Sequence, residues 1–348
     1  MNYEKFQDEP AFFIKGPSFR YTVTVPLEKI IEYLKKTFGW TTFPQESHLK
    51  LAECYDKNID VEDNHPYVDY LKRTIKDDNR KDEKIFIKSV IASRKKVFNA
   101  IKDQRVLSDP TEISICKDGA LSYHGYHRTS YAKFLGIKNI RVSFMTLDED
   151  LMQLAMKLFS IYDDVTTLYQ PIEHPFFELC HVQHPETKEK AAVIAESIKD
   201  KTKKVIEVGA HMGYYSRHLI KNGFDVASVD FDKMMFECQK HLEAIGFQKL
   251  DYNNMTIQDY IKNKNGNFTL VAMAIFHTYM REGTWMREAL INEIGPWIKS
   301  NVSTLIVEHE QSSDKELCDY WKDVCGFKKK KVIFETPKYN RTTYLFEK

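Results

Sequence analysis

The chain has 348 residues, more than one average domain, so two separate cores fit within it. Its 51 basic and 50 acidic residues leave a formal charge of +1, which excludes a whole-chain field that recruits nucleic acid or an anionic membrane surface. No stretch approaches the ~20 apolar residues of a membrane-spanning helix, and the opening MNYEKFQDEP is too polar for a signal peptide, so no membrane span and a cytoplasmic location are expected.

The first 75 residues are aromatic-rich and hard to parse, but Pro26 to Trp40 reads as an amphipathic helix with Ile30, Leu34 and Phe38 on one face. From Asp77 to Gln104 charge dominates, and Ile87, Val90, Ile91, Val97 and Ile101 predict the packing stripe of a solvated helix. The basic Arg94, Lys95 and Lys96 within it are offset by nearby acids and lack interleaved aromatics, which disfavours a nucleic-acid patch. Glu112 to Phe144 reads as a strand, a turn at Asp118-Gly119, a short strand, a corner, a helix from about Thr129 to Leu135 stopped by Gly136, and a strand through Val142 and Phe144. A helix over Asp148 to Ser160, the irregular aromatic segment LYQPIEHPFFE (Leu168 to Glu178) and a helix over Lys188 to Lys201 follow, with the domain boundary expected near residue 150. The two domains are therefore expected at 1–150, α+β with a helical extension, and at 151–348. The six cysteines are scattered without a Cys-x-x-Cys pair, so neither a disulfide framework nor a metal requirement is expected.

From Lys203 onward, strand and helix alternate regularly. Strands are predicted at Val205 to Val208, Asp225 to Asp230, near Phe247 to Leu250, Phe268 to Ala274 and Thr304 to Glu308. Helices are predicted at Tyr214 to Asn222, Lys233 to Ile245, Thr256 to Lys262, near Arg287 to Ile298 and Lys315 to Cys325. Two strands, Lys330 to Glu335 and Arg341 to Phe346, close the chain around the turn TPKYN. The pattern implies an α/β domain with a parallel sheet, helices on both faces and an antiparallel hairpin at one edge.

At the opening of this domain, VIEVGAHMGYYSRHL (Val205 to Leu219) joins an apolar strand to a helix through Gly209-Ala-His211-Met-Gly213. A glycine turn feeding a helix N-terminus brings backbone N–H groups and a positive dipole end to one point, which suits a nucleotide-like ligand. The run departs from Gly-x-Gly-x-x-Gly and lacks the Gly-Lys-Ser/Thr ending of a P-loop. With Glu207 just upstream and Asp230 ending the next strand in VASVDFD, it resembles the first motifs of class I S-adenosylmethionine (SAM)-dependent methyltransferases. The resemblance implies a Rossmann-like seven-stranded sheet and SAM as cofactor. It places Glu207 at the methionine ammonium, Gly209, His211 and Gly213 along the ligand, Asp230 at the ribose hydroxyls, Asn254 and Met255 at the adenine, and Ala274 beside the sulfonium. Tyr214 and Tyr215 are candidates for a cofactor wall. The segment LYQPIEHPFFE resembles the approach to the methyltransferase core in O-antigen chain-terminating and related glycan-modifying enzymes, which nominates Tyr169 and Gln170 as contacts. An aromatic linker packed on the sheet is the alternative reading of that pair.

His277, at the end of the fourth strand, is the best-placed general base for a hydroxyl acceptor, since imidazole accepts a proton near neutrality; a packed, hydrogen-bonded histidine is the alternative. Glu308, His309 and Glu310, in LIVEHE, are expected to orient the acceptor or His277, with Glu308 put forward as the catalytic one; side chains alternate along a strand, so the three cannot share one metal site. Arg281 is a candidate for an anionic acceptor group.

In the first domain, DGALSYHGYHRTSYAKFLGIKNIRV resembles the ParB/sulfiredoxin-like superfamily, with Gly125, His127 and Arg128 at its phosphate- or nucleotide-binding corner. A structural corner held by His127 and Arg128 is the competing reading, and Tyr126 stands where the sulfiredoxin cysteine would be. The expectation is a SAM-dependent O-methyltransferase acting on a sugar, a glycan precursor or a related phosphorylated small molecule. The alternatives are a SAM- or nucleotide-sensing regulator, or a ParB-like phosphotransferase carrying an accessory methyltransferase domain. A nucleic-acid methyltransferase is disfavoured because AIFH stands where an Asn/Asp-Pro-Pro-Tyr/Phe motif would be.

Overall fold

A computed structural model of the chain describes residues 18–75, 83–105, 109–115, 121–161, 167–280 and 285–348. The predicted turn at Asp118-Gly119, Cys116 and the candidate Arg281 lie outside them. Contacts divide the chain into a first unit of residues 1–152, 164–166 and 173–181, and a second of residues 153–163, 167–172 and 182–348.

The first unit begins with β1 (Phe19–Pro26), whose Phe19, Tyr21, Val23 and Val25 alternate inward. α1 (Leu27–Phe38) follows and buries Ile30 and Leu34, the stripe its spacing predicts, before Gly39 ends it in a left-handed conformation. Then come α2 (Glu46–Asp56), α3 (Pro66–Ile75), α4 (Glu83–Gln104), β2 (Thr111–Ile115), β3 (Leu121–His124), α5 (Tyr126–Phe134) and β4 (Asn139–Thr146). The sheet order is β1-β4-β2-β3, with β4 and β2 parallel and the other neighbours antiparallel. Tyr21 stacks on Phe144 at 5.1 Å and meets Phe176 edge-on at 5.0 Å, an aromatic core under the sheet. On α4 the buried residues are Ile87, Phe98 and Ile101, so Phe98 takes the core position expected of Val97. α5 starts three residues earlier than its predicted Thr129, directly after Gly125.

α6 (Glu149–Ile161), β5 (Thr167–Leu168), β6 (His181–Val182) and α7 (Thr187–Ser197) lead to the second unit's large sheet. That sheet is built from β7 (Val205–Val208), α8 (Tyr214–Lys221), β8 (Val226–Val229), α9 (Lys233–Ala244), β9 (Asp251–Asn253), α10 (Ile257–Ile261), β10 (Phe268–Ala272) and α11 (Phe276–Tyr279). It is completed by α12 (Trp285–Ala289), α13 (Gly295–Asn301), β11 (Val302–Glu310), α14 (Asp314–Asp319), β12 (Lys329–Thr336) and β13 (Arg341–Glu347). A π-helical turn at Leu290–Ile294 joins α12 to α13, and another at Tyr320–Val324 extends α14.

The strand order is β12-β13-β11-β10-β7-β8-β9. β9, β8, β7, β10 and β11 run parallel, and β13 runs antiparallel between β11 and β12. Every residue of β7 and β8 is buried, because helices cover both faces. Leu270, Leu305 and Phe346 pack on one face with Trp321 and Ile298; Val271, Ile306 and Leu345 pack on the other with Tyr215 and Ile194. The third parallel strand lies at Asp251–Asn253, a few residues after its predicted place; Leu250 is buried in the loop before it.

Candidate active site

β7 sits where the order reverses: its sequence successor β8 pairs on one side and β10 on the other. A crevice outside the carboxyl ends of the strands forms at such a point. The glycine turn after β7 opens there with Gly209 at φ 71°, His211 at φ 52° and Gly213 at φ 76°. Left-handed backbone at three of five residues lets the chain pass from strand to helix at once, and glycine removes the steric cost at two of them. A Cβ on Gly209 would lie 3.1 Å from Ile275 Cδ1, so the turns after β7 and β10 close on one another. A Cβ on Gly213 would fall inside van der Waals contact of Leu250 Cδ1.

Glu207 is 1 % exposed and its carboxylate accepts from Ser216 Oγ, which in turn lies 2.6 Å from Ser228 Oγ. Burial pushes this carboxyl up to about 7, with Ser216 opposing. Asp230 follows β8, accepting from the His211 N–H at 2.8 Å and from the Asp232 N–H at 2.9 Å. Burial raises its pKa, against those backbone bonds. Each of its oxygens keeps lone-pair capacity for a ligand hydroxyl. Asn254 Nδ2 donates to the Asp230 carbonyl at 3.0 Å, while Met255, Phe231 and Met234 stand exposed around the same strand ends.

Tyr169 reaches this loop, and Gln170 follows it in the chain. The Tyr169 ring lies 4.9 Å from the His211 ring and 4.6 Å from His184, which lies 4.5 Å from Tyr339. The Gln183 and His184 N–H groups donate to the Leu168 and Tyr169 carbonyls and hold the segment in place. Gln170 is 7 % exposed, and its Oε1, like His211 Nδ1, is buried without a hydrogen-bond partner. Burial pushes His211 down to about 4, so it is neutral. His211 Nδ1, an orphaned buried polar atom within the glycine turn, is what a polar ligand there would satisfy.

β10 ends into Ala274, at φ 53°, and Ile275, from which α11 carries His277. His277 Nε2 lies 3.4 Å from Glu310 Oε1. Glu310 also accepts from Arg341 Nη2 at 3.1 Å, and Arg341 Nη1 lies 3.8 Å from Glu308 Oε2. Glu308 is buried and forms an ion pair with the buried Lys190 of α7. The carboxylate facing His277 is therefore Glu310, one of the three expected candidates, and Glu308, the one put forward as catalytic, is locked between Lys190 and Arg341. Alternation along β11 explains this: Glu308 and Glu310 share a face, and His309 points away. Lys190 and Arg341 escaped the sequence reading, because one sits on an ordinary helix and the other beside a turn, with no local motif to mark either.

His309 lies with Asp314 and Cys318, the metal-competent donor group found among the described residues. Trp321 Nε1 donates to His309 Nε2 at 3.0 Å, which puts the proton on Nδ1, facing Asp314 Oδ1 at 3.1 Å. With its Nδ1 lone pair occupied by that proton, His309 is a hydrogen-bonded core histidine and not a ligand.

The remaining predicted residues lie in the first unit. A Cβ on Gly125 would lie 2.6 Å from Thr111, which explains the glycine by close packing. His127 Nε2 meets the Tyr67 hydroxyl, and burial, with Arg94 beside it, pushes this imidazole down to about 2. Arg128 donates to the Pro110 carbonyl at 2.6 Å and to the His124 carbonyl at 3.3 Å. The expected anion-binding donors thus hold the turn itself.

No family model and no curated protein matches the chain. Among solved structures, it is similar to WbdD with its C-terminal bundle ordered, at 16% identity over 56% of this chain and 40% of that one, with a TM-score of 0.42. A related structure describes WbdD as a bifunctional kinase-methyltransferase. The magnesium protoporphyrin IX methyltransferase ChlM of Synechocystis PCC 6803, with bound SAM, matches at 16% identity over 47% of this chain and 80% of that one, TM-score 0.36. The ribosomal protein L11 methylase of Lactobacillus delbrueckii subsp. bulgaricus matches at 13% identity over 52% and 93%, TM-score 0.35. The chain spans less than half the length of WbdD. All three superpose with TM-scores below 0.5.

Proposed function

We propose that the second unit is a SAM-dependent O-methyltransferase whose acceptor is a sugar, a glycan precursor or a related phosphorylated small molecule. The observation that carries this reading is the pairing of the Gly209–Gly213 turn, at the reversal point of a seven-stranded sheet, with Asp230 at the next strand end. In it Glu207 serves the methionine ammonium, the glycine backbone lies along the ligand, Asp230 accepts from the ribose hydroxyls, and Asn254 and Met255 border the adenine. Gln170 Oε1 and His211 Nδ1 gain the partners they lack. The bound cofactor would supply an electrophilic methyl group on a sulfonium. The chain aligns the acceptor and takes its hydroxyl proton on His277.

The acceptor class rests on the Tyr169-Gln170 approach segment. The first unit is read as a ParB/sulfiredoxin-like module, with its corner residues Gly125, His127 and Arg128 in a structural role. Calorimetric titration with SAM and S-adenosylhomocysteine, beside an Asp230→Ala control, tests the reading. Micromolar binding lost in the variant supports it, whereas no binding to folded protein overturns it. Binding without turnover on a panel of sugar and nucleotide-sugar acceptors would favour a SAM-sensing protein instead.

A further inference from the structure

We propose that Glu310 and Arg341 complete the proton-accepting unit around His277: Glu310 positions the imidazole with its proton on Nε2 and its lone pair on Nδ1, and Arg341 sets how much negative charge Glu310 offers. This rests on His277 being the base of methyl transfer to a hydroxyl. It assigns a functional role to the reversed last strand.

The geometry follows from strand register. β11 and β13 are antiparallel, and Glu310 pairs with Arg341 in register, so the last acid of one strand faces the first residue of the other at the carboxyl edge. One guanidinium spans both carboxylates, 3.1 Å from Glu310 Oε1 and 3.8 Å from Glu308 Oε2. Lys190 occupies Glu308, leaving Glu310 shared between Arg341 and His277. His309 on β11, which burial keeps neutral, is also coupled to His277.

Each member has a distinct effect on the base. Without Glu310, an imidazolium would form unsupported near the Arg341 cation. Without Arg341, an unshared Glu310 would hold His277 protonated and spoil it as a base. During transfer the acceptor oxygen bonds the methyl carbon, the carbon–sulfur bond breaks with its electron pair leaving on sulfur, and the hydroxyl proton passes to His277 Nδ1. The imidazolium is then stabilised across the 3.4 Å to Glu310, a separation that can tighten with substrate bound.

The test is NMR titration of the full chain carrying ¹³Cε1-labelled histidine, with the His277 signal identified by its loss in His277→Gln. Glu310→Gln is expected to move the His277 titration to lower pH by about one unit, and Arg341→Gln to higher pH. Glu310→Asp is expected to fall between Glu310→Gln and wild type. Shifts of opposite sign on one histidine are not what a loss of packing produces. No shift in either variant, or shifts of the same sign, overturns the assignment. S-adenosylhomocysteine binding measured on the same samples separates the two ideas. Binding with an unresponsive His277 removes this inference alone; a responsive His277 without binding keeps the charge coupling and removes the methyltransferase reading.

Discussion

Glu207→Gln isolates the cost of a buried carboxylate at the centre of the site. Glu207 is fully enclosed, and burial raises it from an ordinary 4.5 to about 7. The folded protein therefore binds this proton more tightly than the unfolded chain does. The stability it contributes is complete below about pH 4.5 and is lost as pH rises through about 7. At 1.36 kcal/mol per unit, the charged form costs roughly 3 kcal/mol at pH 8. Glutamine mimics the protonated acid and can still accept from Ser216. The variant is thus expected to be more stable than wild type by that amount at pH 8 and close to it near pH 4. Urea melts at both pH values would follow unit-two tryptophans, including the buried Trp321. A cationic ligand group at Glu207 has the opposite demand, so S-adenosylmethionine is expected to narrow the gap at pH 8. Equal stabilities at pH 8, or a gap that does not change with pH, would show that burial of Glu207 does not raise its pKa.

Gly213→Ala combines a left-handed backbone with a clash against Leu250 and is expected to cost about 2–4 kcal/mol by urea melt; Gly223→Ala, at φ 87° but with open space, costs about 1 kcal/mol. Lys190→Met leaves Glu308 buried with only the more distant Arg341, and a loss of roughly 3–5 kcal/mol is expected. The double variant Lys190→Met/Glu308→Leu should regain most of that loss; no recovery would mean that Lys190 acts through packing alone. Zinc is expected to leave the melting temperature unchanged, because the Trp321 bond holds the His309 proton on Nδ1. Zinc stabilisation abolished by Cys318→Ala would overturn that tautomer assignment.

Much of the second unit was legible in the sequence because its signals are local. A short apolar run, a glycine turn and a helix recur in order, and a parallel strand buried on both faces announces itself by composition. Gly209, Gly213 and Asp230 were readable for the same reason: each is required by the turn or the strand end on which it sits. The first unit was harder. β1 alternates cleanly, but α2 and α3 lie in a stretch where aromatic packing, more than periodicity, fixes the helices.

Backbone conformation and burial pattern are properties of neighbouring residues, so the succession of elements and the loop at the sheet's reversal point follow from local chemistry. The tertiary structure alone decided the charge assignments. Lys190 and Arg341 reach Glu308 across 118 and 33 positions of sequence, and only strand register places Glu310, rather than Glu308, against His277. The same holds for His309, an expected orienting group in the sequence and a Trp321-bonded core residue in the fold. Electrostatic partners are chosen by distance in space, which no local pattern records.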